Sequence, residues 1–185
     1  MTNLFDVLDL PQSLLVEPSS VDSAWDRATR SQHPDVSESE RDDAAVSDAN
    51  QARSVLSDPT SRLEHWLTLR GVEARRDQLI SPELMDLFTK LNPVLTDADS
   101  VISRLQKAST ALAKAMLAKE AANVQLRIQE ILGKIMAMKL AVTERFEEFE
   151  KAGDYSSASE GLGQLKFLKK WEQQGQAKLI ALLGL

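Results

Sequence analysis

The sequence predicts an all-α protein: short helices up to about residue 71, then an antiparallel bundle of three long helices. Two observations carry this. Apolar residues recur at spacings of three and four along nearly the whole chain, from Val21, Trp25 and Ala28 to Phe146 and Phe149. Helix punctuation falls where these stripes begin and end, with Pro after Ser or Asp at starts and Gly at stops.

The first helix, about residues 3–9, offers Leu4, Phe5, Leu8 and Leu10 and is closed by Pro11. So short a helix is stable only when packed on others. The second, about 20–32, carries Val21, Trp25 and Ala28 with Ser20 as N-cap. It should stop near Gln32, because the residue before a proline is pushed out of the α region. His33-Pro34-Asp35 then sits in a polar connector that runs to about Arg41, and connectors are where binding groups concentrate. A third helix, about 41–56, places Ala44, Ala45, Ala49, Ala52, Val55 and Leu56 along one side, small enough for close packing. After Asp58-Pro59, Leu63, Trp66, Leu67 and Leu69 give a fourth helix ending at Gly71. A polar connector carrying Arg75 and Arg76 follows, and the domain boundary is placed at about residue 74.

Beyond it, Ser81-Pro82-Glu83-Leu84 starts a helix that Asn92-Pro93 should break or kink, with Thr96-Asp97 as a fresh cap. Val101, Leu105, Ala108, Leu112 and Ala115 form a stripe, and a turn is expected near Lys119–Asn123. The strongest period runs from Val124 through Ile128, Ile131, Leu132, Ile135, Met138 and Val142 to Phe146 and Phe149, ending at Gly153. A final helix, about 155–183, presents Leu162, Leu165, Leu168, Trp171, Leu179, Ile180 and Leu183. The division is therefore 1–74, a connector over 75–80, and a bundle over 81–185. Met116, Met136 and Met138 are expected to fill its core.

Composition excludes several classes of function. There is no cysteine, which removes disulfides, thiolate catalysis and a cysteine metal site. No apolar run approaches the roughly 18 residues a membrane span needs, and the N-terminus lacks the pattern of a secretory signal, so the expected compartment is the cytoplasm and no membrane partner is expected. Residues 1–71 hold six Lys and Arg against 13 Asp and Glu, a net of −7, while 72–185 net +1. Neither half offers the basic field that nucleic acid requires. His33 and Asp35 lack an accompanying nucleophile, phosphate loop or third ligand, and His65 falls inside a helix beside Trp66. No enzyme chemistry, cofactor or metal is expected, since a metal site needs three or four convergent ligands.

The order helix, helix, His33-Pro34-Asp35 connector, helix and closing Ser57-Asp58-Pro59 turn resembles a J-domain. The continuation Thr60-Ser61-Arg62-Leu63-Glu64-His65-Trp66-Leu67-Thr68-Leu69-Arg70-Gly71 is similar to the extra helix of the HscB family, the J-type co-chaperones of iron–sulfur cluster assembly. The resemblance implies an N-terminal J-domain that docks His33, Pro34 and Asp35, with Arg27 and Arg30 of the preceding helix, onto a DnaK/HscA-type chaperone and promotes its ATP hydrolysis. J-domains usually have a basic face on that helix; here Asp22 and Asp26 offset Arg27 and Arg30.

The resemblance continues into the bundle. Ser81–Phe88 is similar to the start of the family's first bundle helix, and Leu165-Lys166-Phe167-Leu168-Lys169-Lys170 to a segment of its last. These places imply a face for an IscU-type scaffold made by Leu84, Met85, Phe88 and Phe167. The family's acidic companions fall on Thr89 and Asn92, Pro93 interrupts their helix, and the region 93–118 is longer than in the family. Two functions follow as alternatives: delivery of an iron–sulfur scaffold to a specialised chaperone, or recruitment of a DnaK-type chaperone to an unrelated client. Limited proteolysis should cut first near Arg75 and Arg76; first cleavage inside 124–150 would contradict the long-helix reading.

Overall fold

The structure is a computed structural model and describes residues 2–30, 43–72 and 80–184, which form eight α-helices and no strand. They are α1 (Leu4–Val7), α2 (Pro18–Arg30), α3 (Asp43–Ser57), α4 (Pro59–Leu69), α5 (Pro82–Lys107), α6 (Ala111–Thr143), α7 (Phe146–Ala152) and α8 (Tyr155–Leu183). Two compact units result: Met1–Arg76 with Thr143–Gly163, and Asp77–Val142 with Gln164–Leu185. The boundary drawn at about residue 74 had left 143–163 with the bundle, whereas these residues pack with the N-terminal helices.

In the N-terminal unit, Asn3 caps α1 by accepting the Phe5 N–H at 3.2 Å. Leu4, Phe5 and Leu8 share a core with Val21 and Ala24 of α2 and with Ala49, Ala52 and Leu56 of α3. α2 starts earlier than Ser20, because Pro18 is suited to the first helical position and the Glu17 carbonyl already accepts the Val21 N–H at 3.1 Å. Asp58 caps α4, accepting the Ser61 N–H at 2.8 Å. α4 closes on Gly71 at φ +71°, where the Gly71 N–H donates to Thr68 O at 3.0 Å and the Val72 N–H to Leu67 O at 3.1 Å. That pair of bonds is a Schellman motif, and its left-handed residue favours glycine.

α4 also carries polar groups inward. Arg62 is only 6% exposed and donates through Nη1 to the Leu56 carbonyl at 2.7 Å. Burial lowers the pKa of its guanidinium, and the charges of Asp58, Glu17 and Glu150 oppose that effect. Glu150, on α7, accepts hydrogen bonds from Ser13 Oγ at 3.0 Å and from the Leu14 N–H, which binds α7 to the start of the chain. Tyr155 packs against Trp66 with ring centroids 5.8 Å apart. The long helix expected to reach Gly153 is divided at Glu144–Arg145, yet Phe146 and Phe149 remain buried.

The second unit is built from α5, α6 and the greater part of α8. Arg127 pairs with Asp97 at 2.6 Å and Arg104 pairs with Glu120, so α5 and α6 run antiparallel. Lys139 of α6 pairs with Glu172 of α8 at 2.7 Å, and an added Cβ at Gly175 would lie 3.0 Å from Leu132 Cδ2. These contacts set α8 antiparallel to α6 and close to it. Of the break or kink expected at Pro93, the break does not occur: α5 runs through it. A mid-helix proline costs about 3 kcal/mol, but Leu84, Leu87, Leu91, Val94, Ala98 and Val101 stay in phase across it and all are buried. Burying each of the larger side chains contributes about 1.5–3 kcal/mol, which outweighs that cost.

The turn expected at 119–123 lies instead at 108–110, where Thr110 Oγ1 accepts the Ala113 N–H at 3.2 Å and starts α6. Of the methionines expected in the core, Met138 is half-buried against it, while Met116 and Met136 are exposed. Ile180 and Leu183, in the last turn of α8, are exposed as well, while Leu182 in the same turn is buried.

His65 is 3% exposed, stacks on Phe5 at 5.7 Å and accepts the Leu4 N–H through Nε2 at 3.0 Å. Accepting that bond requires the neutral ring, and burial lowers its pKa below the ordinary value of 6.5. The unfolded chain therefore takes up this proton more readily than the folded one. Its contribution to stability is full above pH 6.5 and declines as pH falls below it. Between about pH 7 and about pH 5.5 the unfolding free energy should fall by at most about 1.4 kcal/mol per pH unit from this group, lowering the melting temperature, and His65→Gln should flatten that decline.

Candidate functional site

Two places carry the residues that sequence points to, one in each unit. In the first, α2 and α3 pack side by side through Val21, Ala24, Ala49, Ala52 and Leu56. Their register is fixed at the rim. Trp25 Nε1 donates to Asn50 Oδ1 at 2.9 Å, and the Arg53 guanidinium lies over the Trp25 ring, 4.2 Å from its centroid. Arg53 Nε also donates to Asp22 Oδ1 at 2.8 Å. Both ends of this ion pair are open to water, so it contributes little energy, but the Trp25 contacts hold the two helices in one alignment.

The segment joining α2 to α3 contains His33, Pro34 and Asp35 and lies outside the described residues. What the structure gives is its frame: α2 described to Arg30 and α3 from Asp43, held together by the small-residue seam. Arg27 and Arg30 are exposed in the last turn of α2, where positive charge also suits the helix dipole. Asp22 and Asp26 are exposed on the same helix, so the field around it is mixed in sign.

The second place is on the bundle. Met85 and Phe88 of α5 are 49% and 43% exposed, and Phe167 of α8 is half-buried. Trp171 lies between the aromatic pair, 5.7 Å from Phe88 and 5.9 Å from Phe167 by ring centroids. Leu84 differs: at 2% exposed it belongs to the core beneath this face. Three of the four expected residues are thus at the surface, and the fourth supports them from below. Trp171 was expected only as core, although its i, i+4 relation to Phe167 already placed the two rings on one face.

The rim of this face is cationic on α8, where Lys166 and Lys170 are exposed. Thr89 donates its hydroxyl back to the Met85 carbonyl at 2.9 Å. Among the described residues there is no group of three or more His, Asp or Glu that could hold a metal ion, and no helix long and apolar enough to cross a membrane.

No family model matches the chain, and no curated protein matches it in sequence. Solved structures do match. The chaperone HscB from Vibrio cholerae superposes with a TM-score of 0.61 at 20% identity, over 95% of this chain and 96% of its own. The human co-chaperone protein HscB gives a TM-score of 0.64 at 19% identity, over 97% of this chain and 83% of its own. The chain has the fold of these proteins, with helices the only regular elements among the described residues.

The positions of Leu84 and Met85 separate stability from surface function. Leu84→Ala should cost about 2–5 kcal/mol and lower the melting temperature. Met85→Ala, at the exposed neighbouring position, should change stability by no more than about 0.5 kcal/mol. Thermal unfolding of the two variants checks both values.

Proposed function

We propose that this chain is a J-type co-chaperone of iron–sulfur cluster assembly. Its His33-Pro34-Asp35 segment engages a DnaK/HscA-type chaperone and promotes ATP hydrolysis there, and its bundle carries an IscU-type scaffold to that chaperone. The observation that carries this reading is a conjunction: a His-Pro-Asp tripeptide between α2 and α3, in a chain that matches the HscB fold over 95% of its length.

The chemistry of the segment suits the role. Asp35 supplies a carboxylate able to accept two parallel hydrogen bonds from a guanidinium. Pro34 offers no N–H of its own. Arg27 and Arg30 add positive contacts beside it, with Asp22 and Asp26 weakening long-range steering of an acidic partner. No catalytic group of this chain's own is needed, since the hydrolysis belongs to the chaperone. We place the activity in the cytoplasm.

On the bundle, Met85, Phe88 and Phe167 form the contact face, Trp171 joins their rings, and Leu84 holds α5 against the core below. An exposed apolar cluster of this kind fits a partner surface. A second reading is favoured by one observation: Thr89 and Asn92 stand where acidic companions would, so those two positions bring no negative charge to this face. In that reading the J-like unit recruits a DnaK-type chaperone to a client other than an iron–sulfur scaffold.

ATPase stimulation of a DnaK-type chaperone, measured with and without an IscU-type scaffold, separates the two, because scaffold delivery requires the two proteins to act together. His33→Gln should abolish stimulation while far-UV circular dichroism stays unchanged. Asp35→Asn should weaken chaperone engagement by about 2–5 kcal/mol, the cost of leaving one member of a charged pair without its partner. Wild-type stimulation by His33→Gln would refute the assignment.

A further inference from the structure

α6 carries a buried apolar stripe on one side and, on the other, an exposed one that Lys119, Gln129 and Gly133 interrupt. The inner one, Ala121, Val124, Ile128, Ile131 and Ile135, is buried in the bundle core. The outer one recurs at alternating spacings of three and four: Leu112, Ala115, Lys119, Ala122, Leu126, Gln129, Gly133 and Met136. Every one of these eight residues is exposed, Leu112 at 73%, Leu126 at 64% and Met136 at 67%. Scattered surface leucines need no explanation. A heptad spacing in which Leu, Ala and Met fill five of eight exposed positions on one face does, because it is the spacing by which one helix packs on another.

We propose that this outer face of α6 pairs with the same face of a second copy of the chain, antiparallel, with Leu112 of each copy against Met136 of the other. The polar residues decide the orientation. In a parallel pair in register, Lys119 would meet Lys119 of the second copy, and like charges would repel across the seam. In the antiparallel pair Lys119 faces Gln129 of the second copy, with Glu130 of that copy beside it. The two polar positions of the stripe thus meet each other, and by symmetry each Lys119 comes beside Glu130 of the other copy, a carboxylate that also bonds Lys134 of its own helix at 2.7 Å. Leu126 then packs on Ala122, and Ala115 on Gly133, small residues that let the backbones approach.

The size of the face sets the strength. From Leu112 to Met136 the helix runs about 36 Å. One helix face of that length buries an area at the low end of specific interfaces, so association is weak and depends on concentration. The pairing does not rest on the co-chaperone reading, and its test uses no chaperone.

The 185-residue chain should sediment as one chain at low concentration and approach twice that mass at high micromolar concentration. Leu126→Glu should hold it at one chain without lowering the melting temperature. Lys119→Glu should weaken association roughly tenfold, and Glu130→Lys in the same chain should restore it. Because the protein has no cysteine, single substitutions report orientation directly. Asn123→Cys should crosslink to itself through a short thiol reagent. Ala115→Cys should not, since the two copies of residue 115 would lie about 27 Å apart along the helix. A single-chain mass at every concentration, dimers indifferent to Leu126→Glu, crosslinking at both positions or crosslinking at neither would each overturn the proposal.

Discussion

Burying Arg62 constrains the N-terminal unit more than any other single feature. A guanidinium removed from water is costly unless opposite charge is brought to it, and here it comes from three separate stretches: Glu17 before α2, Asp58 at the α3–α4 turn and Glu150 on α7. Glu150 is held in place by Ser13 and Leu14, so the charge balance of α4 and the anchoring of the first loop depend on the same carboxylate. Residues 143–163 are therefore part of this unit, although the chain reaches them only after building most of the bundle.

In the second unit apolar burial takes the same controlling role. The stripe from Leu84 to Val101 keeps α5 continuous through Pro93, and Gly175 lets α8 lie close to Leu132 and Ile128. The consequence for the candidate partner face is mechanical. Leu84 is fixed in the core directly beside Met85, and Trp171 is buried while touching both Phe88 and Phe167. Side chains offered to a partner are thus carried on rigid, well-packed helices.

Local signals proved legible wherever a short stretch determines its own backbone. Asp58-Pro59 and Ser81-Pro82 start helices as expected, and Gly71 ends one through the two hydrogen bonds its left-handed φ allows. The final helix, expected over 155–183, spans those residues. Errors arose where tertiary packing overrode a local preference. Proline at position 93 argued for a break, yet six buried apolar residues in phase outweigh it. The turn at 108–110 was masked by a stripe that continues across it, Leu105 to Leu112, while its true marker was the Thr110 cap. The joining of α7 to the N-terminal helices had no sequence signal, because it rests on Glu150 meeting residues more than 130 positions away. At the candidate sites, Met85, Phe88 and Phe167 were found at the surface, whereas Leu84 has the same spacing as a surface residue and only packing reveals its burial.

The discontinuity of the N-terminal unit also bears on how the protein comes to be made. A chain synthesised from its N-terminus presents Arg62 long before Glu150 exists, and at about 5–20 residues per second the interval lasts several seconds. During it the first four helices have a core of Leu4, Phe5, Val21 and Leu56 and already hold Asp58 and Glu17 near the buried charge, but lack Glu150, which also anchors Ser13 and Leu14. The segment Asp77–Val142, by contrast, contains both arms of its own antiparallel pair and can close α5 on α6 through neighbours in sequence. Nascent chains should thus acquire the α5–α6 hairpin first and complete the N-terminal unit last, an order opposite to that in which the ribosome delivers them.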